Sequence, residues 1–389
     1  MVIEVALKRI AINARIPDQG VGGVQQVLLT LMEGFQQLPD NEFNRCWIVL
    51  DGTTWWKGQI PSSDSMIIVK PPFGKMAIKF QRLFPKLTSL AYPVISKFLK
   101  TGSAFDELMR EHQIDLVHFP FQESFSTSLP YLYQPHDIQH VHYPEYFSHA
   151  QLHHRNTRWK TTAQDSSAIT VAADHVANDL VEHWSIDPQK IHVLPVPPPT
   201  RTTISRDNAV LGYERFIVYP SAFWKHKNHV NLIKGFKRSR DLGSKLSLVL
   251  PGSHNGQFRS VLRIVNELEL SEFVHFPGHV TNDELSQLII KSEAVIVPSL
   301  YEALSLTIWD AYNFGKPILC SDKSIIYGLF ESICVKFDPE NDQAIADAIL
   351  GIDQISTNLD GANLAWLPKP KDYAKSISEI YSRILISGT

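Results

Sequence analysis

Short runs of β-branched and apolar residues recur along the chain, separated by stretches in which apolar positions return every three or four residues. In the first half the runs are Arg9–Ala14, Arg45–Leu50, Ile114–Phe119, Ala168–Ala172 and Ile191–Val196. Short runs of this kind alternating with helical periods predict βαβ units around a parallel sheet. Prolines then crowd the segment Pro195-Val196-Pro197-Pro198-Pro199. Proline fixes φ and offers no backbone N–H, so neither a helix nor a central strand continues through it, and a linker is expected there. Beyond it the series restarts with Arg215–Tyr219, Lys245–Leu250, Phe273–Phe276, Ala294–Pro298, Pro317–Cys320 and Cys334–Phe337. The closing segment Asp372–Ile386 places Tyr373, Ile377, Ile380, Tyr381, Ile384 and Leu385 at helical spacing. Two doubly wound domains hinged at the prolines would form a cleft, and ligands of such sheets bind outside the carboxyl ends of the strands.

The length of 389 residues agrees with two domains, since about 150 residues make one. With 44% apolar and 20% charged residues the chain reads as globular, which excludes a disordered or fibrous class. A net charge of -3, from 37 basic and 40 acidic residues, supplies no field to gather a nucleic acid, and no nucleic-acid partner is expected. Cys46, Cys320 and Cys334 are too few and too scattered for a disulfide framework or a thiolate zinc site. The N-terminal residues interrupt their apolar stretch with Glu4 and Lys8, unlike a signal peptide, so a cytoplasmic protein is expected. The total charge hides one local bias. Residues 70–100 carry Lys70, Lys75, Lys79, Arg82, Lys86, Lys97 and Lys100, no acidic residue, and several aromatic rings. Such a stretch suits an anionic membrane surface, peripheral on the inner face of the plasma membrane, and equally suits a helix pair packed on its own domain with solvated lysines.

The residues that carry chemistry lie at predicted strand ends. After the first strand, Gly20-Val21-Gly22-Gly23 opens a helix expected from about Gln25 to Gln36, where backbone can approach a ligand and free N–H groups favour an anion. The run is not a full G-x-G-x-x-G, and the acidic residue of a dinucleotide site is not at its usual spacing, so such an enzyme is disfavoured. In the second half, Ser221-Ala222-Phe223-Trp224-Lys225-His226-Lys227-Asn228-His229 sets cationic side chains between a strand end and a helix start. The strand Ala294–Pro298 leads to Glu302 and, on a helix starting near Ser305, to Asp310. Amides of Leu304, Ser305 and Leu306 at that helix start suit a phosphate, while Glu302 and Asp310 suit sugar hydroxyls. A histidine group, His136, His140, His142, His149, His153 and His154, offers zinc-like spacing, but no metalloprotease pattern or Asp-x-Asp motif accompanies it, and no metal is expected.

These residues resemble a known family. Gly22-Gly23, His136-Asp137, the Phe223–His229 run, Pro251-Gly252, Phe276-Pro277-Gly278-His279-Val280, Pro298–Glu302, Asp310 and Gly315-Lys316-Pro317 occur in the order seen in retaining GT-B glycosyltransferases, the glycosyl transferases group 1, or family four. The resemblance implies an α/β fold of two Rossmann-like doubly wound parallel-sheet domains facing a central cleft. It implies an acceptor-side domain at 1–196, a nucleotide-sugar domain at 197–371, and a helix at 372–389 packing back on the first. Glu302 matches the first acid of the E-x7-E motif, which contacts donor-sugar hydroxyls, and Asp310 stands where the second acid holds the ribose diol. Lys227 matches the lysine that neutralises the donor diphosphate, and Val280 falls where backbone meets the nucleobase. His136 matches a histidine facing the donor sugar and leaving group. Two departures stand out: Asp310 is one methylene shorter than glutamate, and Ser221-Ala222 occupies the stretch that usually carries an arginine, leaving Lys225 or His226 to supply charge.

The implied function is metal-independent, retaining transfer of a hexose from a nucleoside-diphosphate sugar, with UDP-glucose favoured and GDP-mannose next. No cofactor is implied; the nucleotide sugar is the substrate. The acceptor would be a saccharide or a polyisoprenyl-diphosphate-linked saccharide in polysaccharide assembly. A sugar-nucleotide-binding protein without transfer and a GT-B sugar-nucleotide epimerase are the competing readings.

Overall fold

The computed structural model describes residues 7–18, 22–38, 42–70, 101–197, 212–254, 256–303, 305–323, 333–354 and 368–387. Met1–Thr200 with Pro368–Thr389 form one compact unit, and Arg201–Leu367 form a second. Both are α/β, built on parallel sheets.

The first unit holds β1 (Arg9–Asn13), β2 (Asn44–Leu50), β3 (Ser65–Val69), β4 (Leu116–Phe119), β5 (Tyr131–Tyr133), β6 (Ala168–Val171) and β7 (Ile191–Val193). Their order across the sheet is β3-β2-β1-β4-β5-β6-β7, with the strand order reversing between β1 and β4. The centre is buried on both faces: every residue of β4, β5 and β6 is buried, as is β1 beyond Arg9. Two strands are not apparent from the pattern of apolar runs. β5 has three residues, too short for any period to register, and β3 is an edge strand whose Met66 and Ile68 face solvent while Ile67 is buried. β7 stops at Val193, short of the expected Val196, because the prolines that follow cannot extend a ladder. The helix after β1 begins at Gly22, earlier than the expected Gln25.

The terminal helix Pro370–Ser387 belongs to this first unit. It buries Tyr373, Ala374, Ile377, Ile380, Tyr381 and Ile384. Its approach to the helix Gly22–Gln36 is close enough that a Cβ on Gly34 would lie 2.1 Å from the Pro370 carbonyl oxygen. Two buried polar contacts fix its register: the Tyr381 hydroxyl lies 2.7 Å from His118 Nδ1 on β4, and the Tyr373 hydroxyl donates to Gln134 Oε1 at 3.1 Å.

The second unit holds β8 (Phe216–Val218), β9 (Ser247–Pro251), β10 (Val274–Gly278), β11 (Ala294–Val297), β12 (Ile318–Ser321) and β13 (Cys334–Phe337), ordered β10-β9-β8-β11-β12-β13. The order reverses between β8 and β11, so the loops that follow these two strands flank the switch point where doubly wound sheets bind ligands. Among the described residues no helix is long and apolar enough to cross a membrane. The basic stretch lies outside the described residues from residue 71 onward.

Candidate active site

The site of the second unit assembles from the ends of β8 and β11. Leaving β8, the chain runs through Tyr219 and Ser221 to a single 3-10 turn, Lys225–Lys227, and then to Asn228 in the left-handed region at φ 58°. Asparagine tolerates that conformation better than most residues, and it lets the turn feed directly into the helix His229–Asp241. The buried Asn228 side chain donates to the carbonyls of Pro298 at 3.0 Å and Pro339 at 2.7 Å, clamping the turn onto the segment that leaves β11. The Leu300 amide donates to the His226 carbonyl at 2.8 Å. These bonds bring together side chains 75 residues apart: Lys227 Nζ lies 2.5 Å from Glu302 Oε1. The carboxylate side chain is 7% exposed and the lysine 22%, so the pair is weakly screened.

A polar relay holds the carboxylate. Ser299 Oγ donates to Glu302 Oε1 at 2.7 Å and lies 2.8 Å from the Tyr219 hydroxyl, which is also 3.2 Å from the Lys227 carbonyl oxygen. Burial, with the Glu302 charge adding to it, pushes the Tyr219 phenol well above its ordinary pKa, so it stays protonated and can donate. Tyr219 and Ser299 carry no role in the sequence reading; their sequence signal is position, each lying within two residues of a strand's carboxyl end, whereas Asn228 falls inside the Phe223–His229 run.

Beside the pair starts the helix Leu306–Asn313, and the Ser305 side chain makes no capping bond to it. Thr307 Oγ1 donates to the Pro220 carbonyl at 3.3 Å, holding the helix start against the loop that bears Ser221. Asp310 is on this helix, 3% exposed. Leu304 lies outside the described residues. On the other side, the Ser221 amide donates to the Pro251 carbonyl and the Gly252 amide to the Gly278 carbonyl. A Cβ on Gly252 would sit 2.0 Å from the Ser221 carbonyl oxygen, so only glycine permits this close approach. Val280 follows Gly278, whose φ of 78° turns the chain at the end of β10. From β11 to β10 is three strand positions, about 14 Å at ordinary strand spacing, so these loops line an elongated surface along the carboxyl edge.

Gly22, Gly23 and His136 belong to the first unit. Gly22 has φ 41°, and space within 4 Å of a Cβ on Gly22 or Gly23 is open. His136 follows β5; burial depresses its pKa to about 4, opposed by the hydrogen bond its ring donates to the Pro120 carbonyl, so the ring is neutral at pH 7. Its Nε2 is buried and has no hydrogen-bond partner among the described residues. The histidine group does not form one cluster. His140 Nε2 lies 3.2 Å from Asn156 Oδ1, while His142 lies 2.9 Å from Asp179 and, with His183, forms the group among the described residues whose ligand atoms could meet on one cation.

Two doubly wound parallel-sheet units of this order are the architecture of GT-B glycosyltransferases. The chain matches glycosyl transferases group 1 over residues 200–353 and glycosyltransferase family 4 over residues 21–197, and it belongs to this family of glycosyltransferases. It is 28% identical over 163 residues to the MMP alpha-(1->4)-mannosyltransferase of Mycolicibacterium hassiacum, covering 42% of this chain and 38% of that protein. It is 22% identical over 222 residues to the O-antigen chain mannosyltransferase RfbU of Salmonella typhimurium, covering 57% of this chain and 60% of that protein. The matches thus span less than two thirds of either relative's length. Among solved structures, Anabaena HepE in complex with UDP and glucose superimposes with a TM-score of 0.67 at 16% identity, over 97% of this chain and 100% of the other.

Proposed function

We propose that the protein is a retaining hexosyltransferase acting from a nucleoside-diphosphate sugar on a saccharide or lipid-linked saccharide in polysaccharide assembly. The observation that carries this reading is the Lys227–Glu302 pair, locked by Ser299 beside an uncapped helix start. A cation, an acceptor of sugar hydroxyls and free amides in one place are what a sugar diphosphate needs. On binding, the ammonium and the Ser305 and Leu306 amides meet the diphosphate while the carboxylate accepts from the hexose hydroxyls. Negative charge grows on the leaving diphosphate, so these donors stabilise the transition state more than the ground state. Asp310 would hold the ribose hydroxyls and the backbone at Val280 the base. In this reading the acceptor attacks from the face the diphosphate leaves, with retention, its proton passes to the leaving diphosphate, and Lys227 and the helix amides carry the charge without a metal.

The mannosyltransferase relatives support a mannosyl donor ahead of the glucosyl donor that the motifs alone favoured. The acceptor is a saccharide, carried on a polyisoprenyl diphosphate at the membrane surface. The test is turnover of GDP-mannose and UDP-glucose by the wild type and by Glu302→Ala and Lys227→Ala, with the product anomer read by NMR. Both variants are expected to lose at least a hundredfold in rate while keeping the fold. Wild-type turnover in both overturns the assignment, and isomerised donor formed without acceptor identifies an epimerase instead.

A further inference from the structure

Three arginines gather at the carboxyl edge of the seven-stranded sheet. Arg15 follows β1, and its Nε donates to Asn13 Oδ1 at 2.8 Å, while Asn13 Nδ2 donates to the Glu123 carbonyl beyond β4 at 2.9 Å. Arg158 Nη2 donates to the adjacent Ser124 carbonyl at 3.0 Å. Arg155 lies over the rings of Phe147 and Trp159, 4.2 Å from each centroid, and Arg15 lies over Phe105 and Phe125 at 4.7 and 5.0 Å. Among the described residues none of the three forms an ion pair: the carboxylates they feel are Glu123, 61% exposed, and Asp137, whose oxygen accepts from the Gln139 amide. His154 also faces the group, 4.0 Å from Glu123. Burial lowers the pKa of both Arg15 and Arg155; for Arg15, with Glu123 opposing and the Arg158 charge adding to burial, it falls to about 10.

Each guanidinium is held by a ring or a neutral oxygen and, among the described residues, keeps further N–H groups without an acceptor. Rings and carbonyls orient a guanidinium without neutralising it, and phosphate oxygens match its fork. We propose that Arg15, Arg155 and Arg158 bind a phosphate or diphosphate group of the acceptor, so that the first unit takes an anionic acceptor in preference to a neutral saccharide. This rests on the transferase reading and deepens it.

The test is calorimetric titration of inorganic pyrophosphate into the full chain carrying Lys227→Ala, which disables the donor's diphosphate contact, and then into the same chain with Arg155→Gln or Arg158→Gln added. Each arginine change is expected to weaken binding at least tenfold, and raised salt to weaken what remains. Competition by farnesyl diphosphate in detergent, against a hexose 1-phosphate, separates a lipid-borne diphosphate from a free sugar phosphate. Unchanged pyrophosphate affinity in Arg158→Gln overturns the proposal. That variant decides the matter even if Arg155→Gln disturbs the fold, because Arg158 is exposed and, among the described residues, packs on no ring. Donor binding measured on the wild type reports separately on the transferase reading, since its failure would leave the pyrophosphate result standing.

Discussion

Lys227 and Glu302 show why a functional pair is also a structural liability. With Glu302 nearly buried, removing the ammonium leaves a carboxylate supported, among the described residues, by Ser299 alone. Lys227→Met is therefore expected to cost on the order of 2 kcal/mol in a denaturant titration as well as activity. The double variant Lys227→Met/Glu302→Gln should regain most of that stability and none of the transfer. Full loss of stability in the double variant would contradict the coupling. His229 offers a pH signature of the same region. Its ring stacks on Phe223 at 4.3 Å, both nitrogens lack hydrogen-bond partners among the described residues, and burial with the Lys227 charge depresses its pKa to about 3. A base whose folded pKa lies below its unfolded value stabilises the fold above the unfolded pKa and destabilises it as pH falls through the interval. Between pH 7 and pH 5 this histidine should cost about 2 kcal/mol. His229→Phe is expected to raise the melting temperature more at pH 5 than at pH 7, and equal shifts at both would show that the ring titrates normally.

At the scale of elements, close backbone approach decides what can be changed. The helices Gly22–Gln36 and Pro370–Ser387 meet where a Cβ on Gly34 would touch both the Pro370 carbonyl and, at 2.7 Å, the Ala374 Cβ. Alanine would favour the helix by about 1 kcal/mol, yet backbone cannot retreat as a side chain can. Gly34→Ala is expected to lower the stability of the first unit by about 2 kcal/mol net, read as a shift of its thermal transition. A neutral or stabilising result would mean that the terminal helix shifts freely. The pattern of apolar runs revealed the central strands because these are buried on both faces, and it missed β5 and β3 because three residues carry no period and an edge strand is half solvated. The site divides in the same way. Lys227 and Glu302 were readable because each lies in a local motif at a strand end. Tyr219 and Ser299 were not, since their contact spans 80 residues and exists only once β8 and β11 are neighbours. The arginines of the first unit escape sequence reading for the same reason: Arg15, just beyond β1, meets the helical segment Arg155–Trp159, which carries the other two, only in the folded sheet.

For the molecule as a whole, chain order and structural membership differ. The polypeptide leaves the first unit, builds the second between Arg201 and Leu367, and returns to finish the first. The core of the first unit is therefore incomplete until the last helix exists. That helix supplies Tyr373, Ala374, Ile377, Ile380, Tyr381 and Ile384, all buried, and covers His118 and Gln134, whose polar atoms it partners. Burying side chains of this size is worth about 1.5–3 kcal/mol each for the larger ones, so the helix contributes on the order of 10 kcal/mol. A domain's whole net stability is about 5–15 kcal/mol, and the loss also strands two buried polar groups. Deleting residues 368–389 should therefore unfold the first unit at 25 °C and leave the second folded, because among the described residues that unit's core draws on none beyond Ile352. Hydrogen exchange read by mass spectrometry would show β1, β4, β5 and β6 unprotected, with protection retained across β8, β9 and β11. Binding of a nucleoside diphosphate to the truncated chain is expected to stay within about threefold of the full chain. Retained protection of β4 in the truncated chain would show that the terminal helix is a covering and not part of the core.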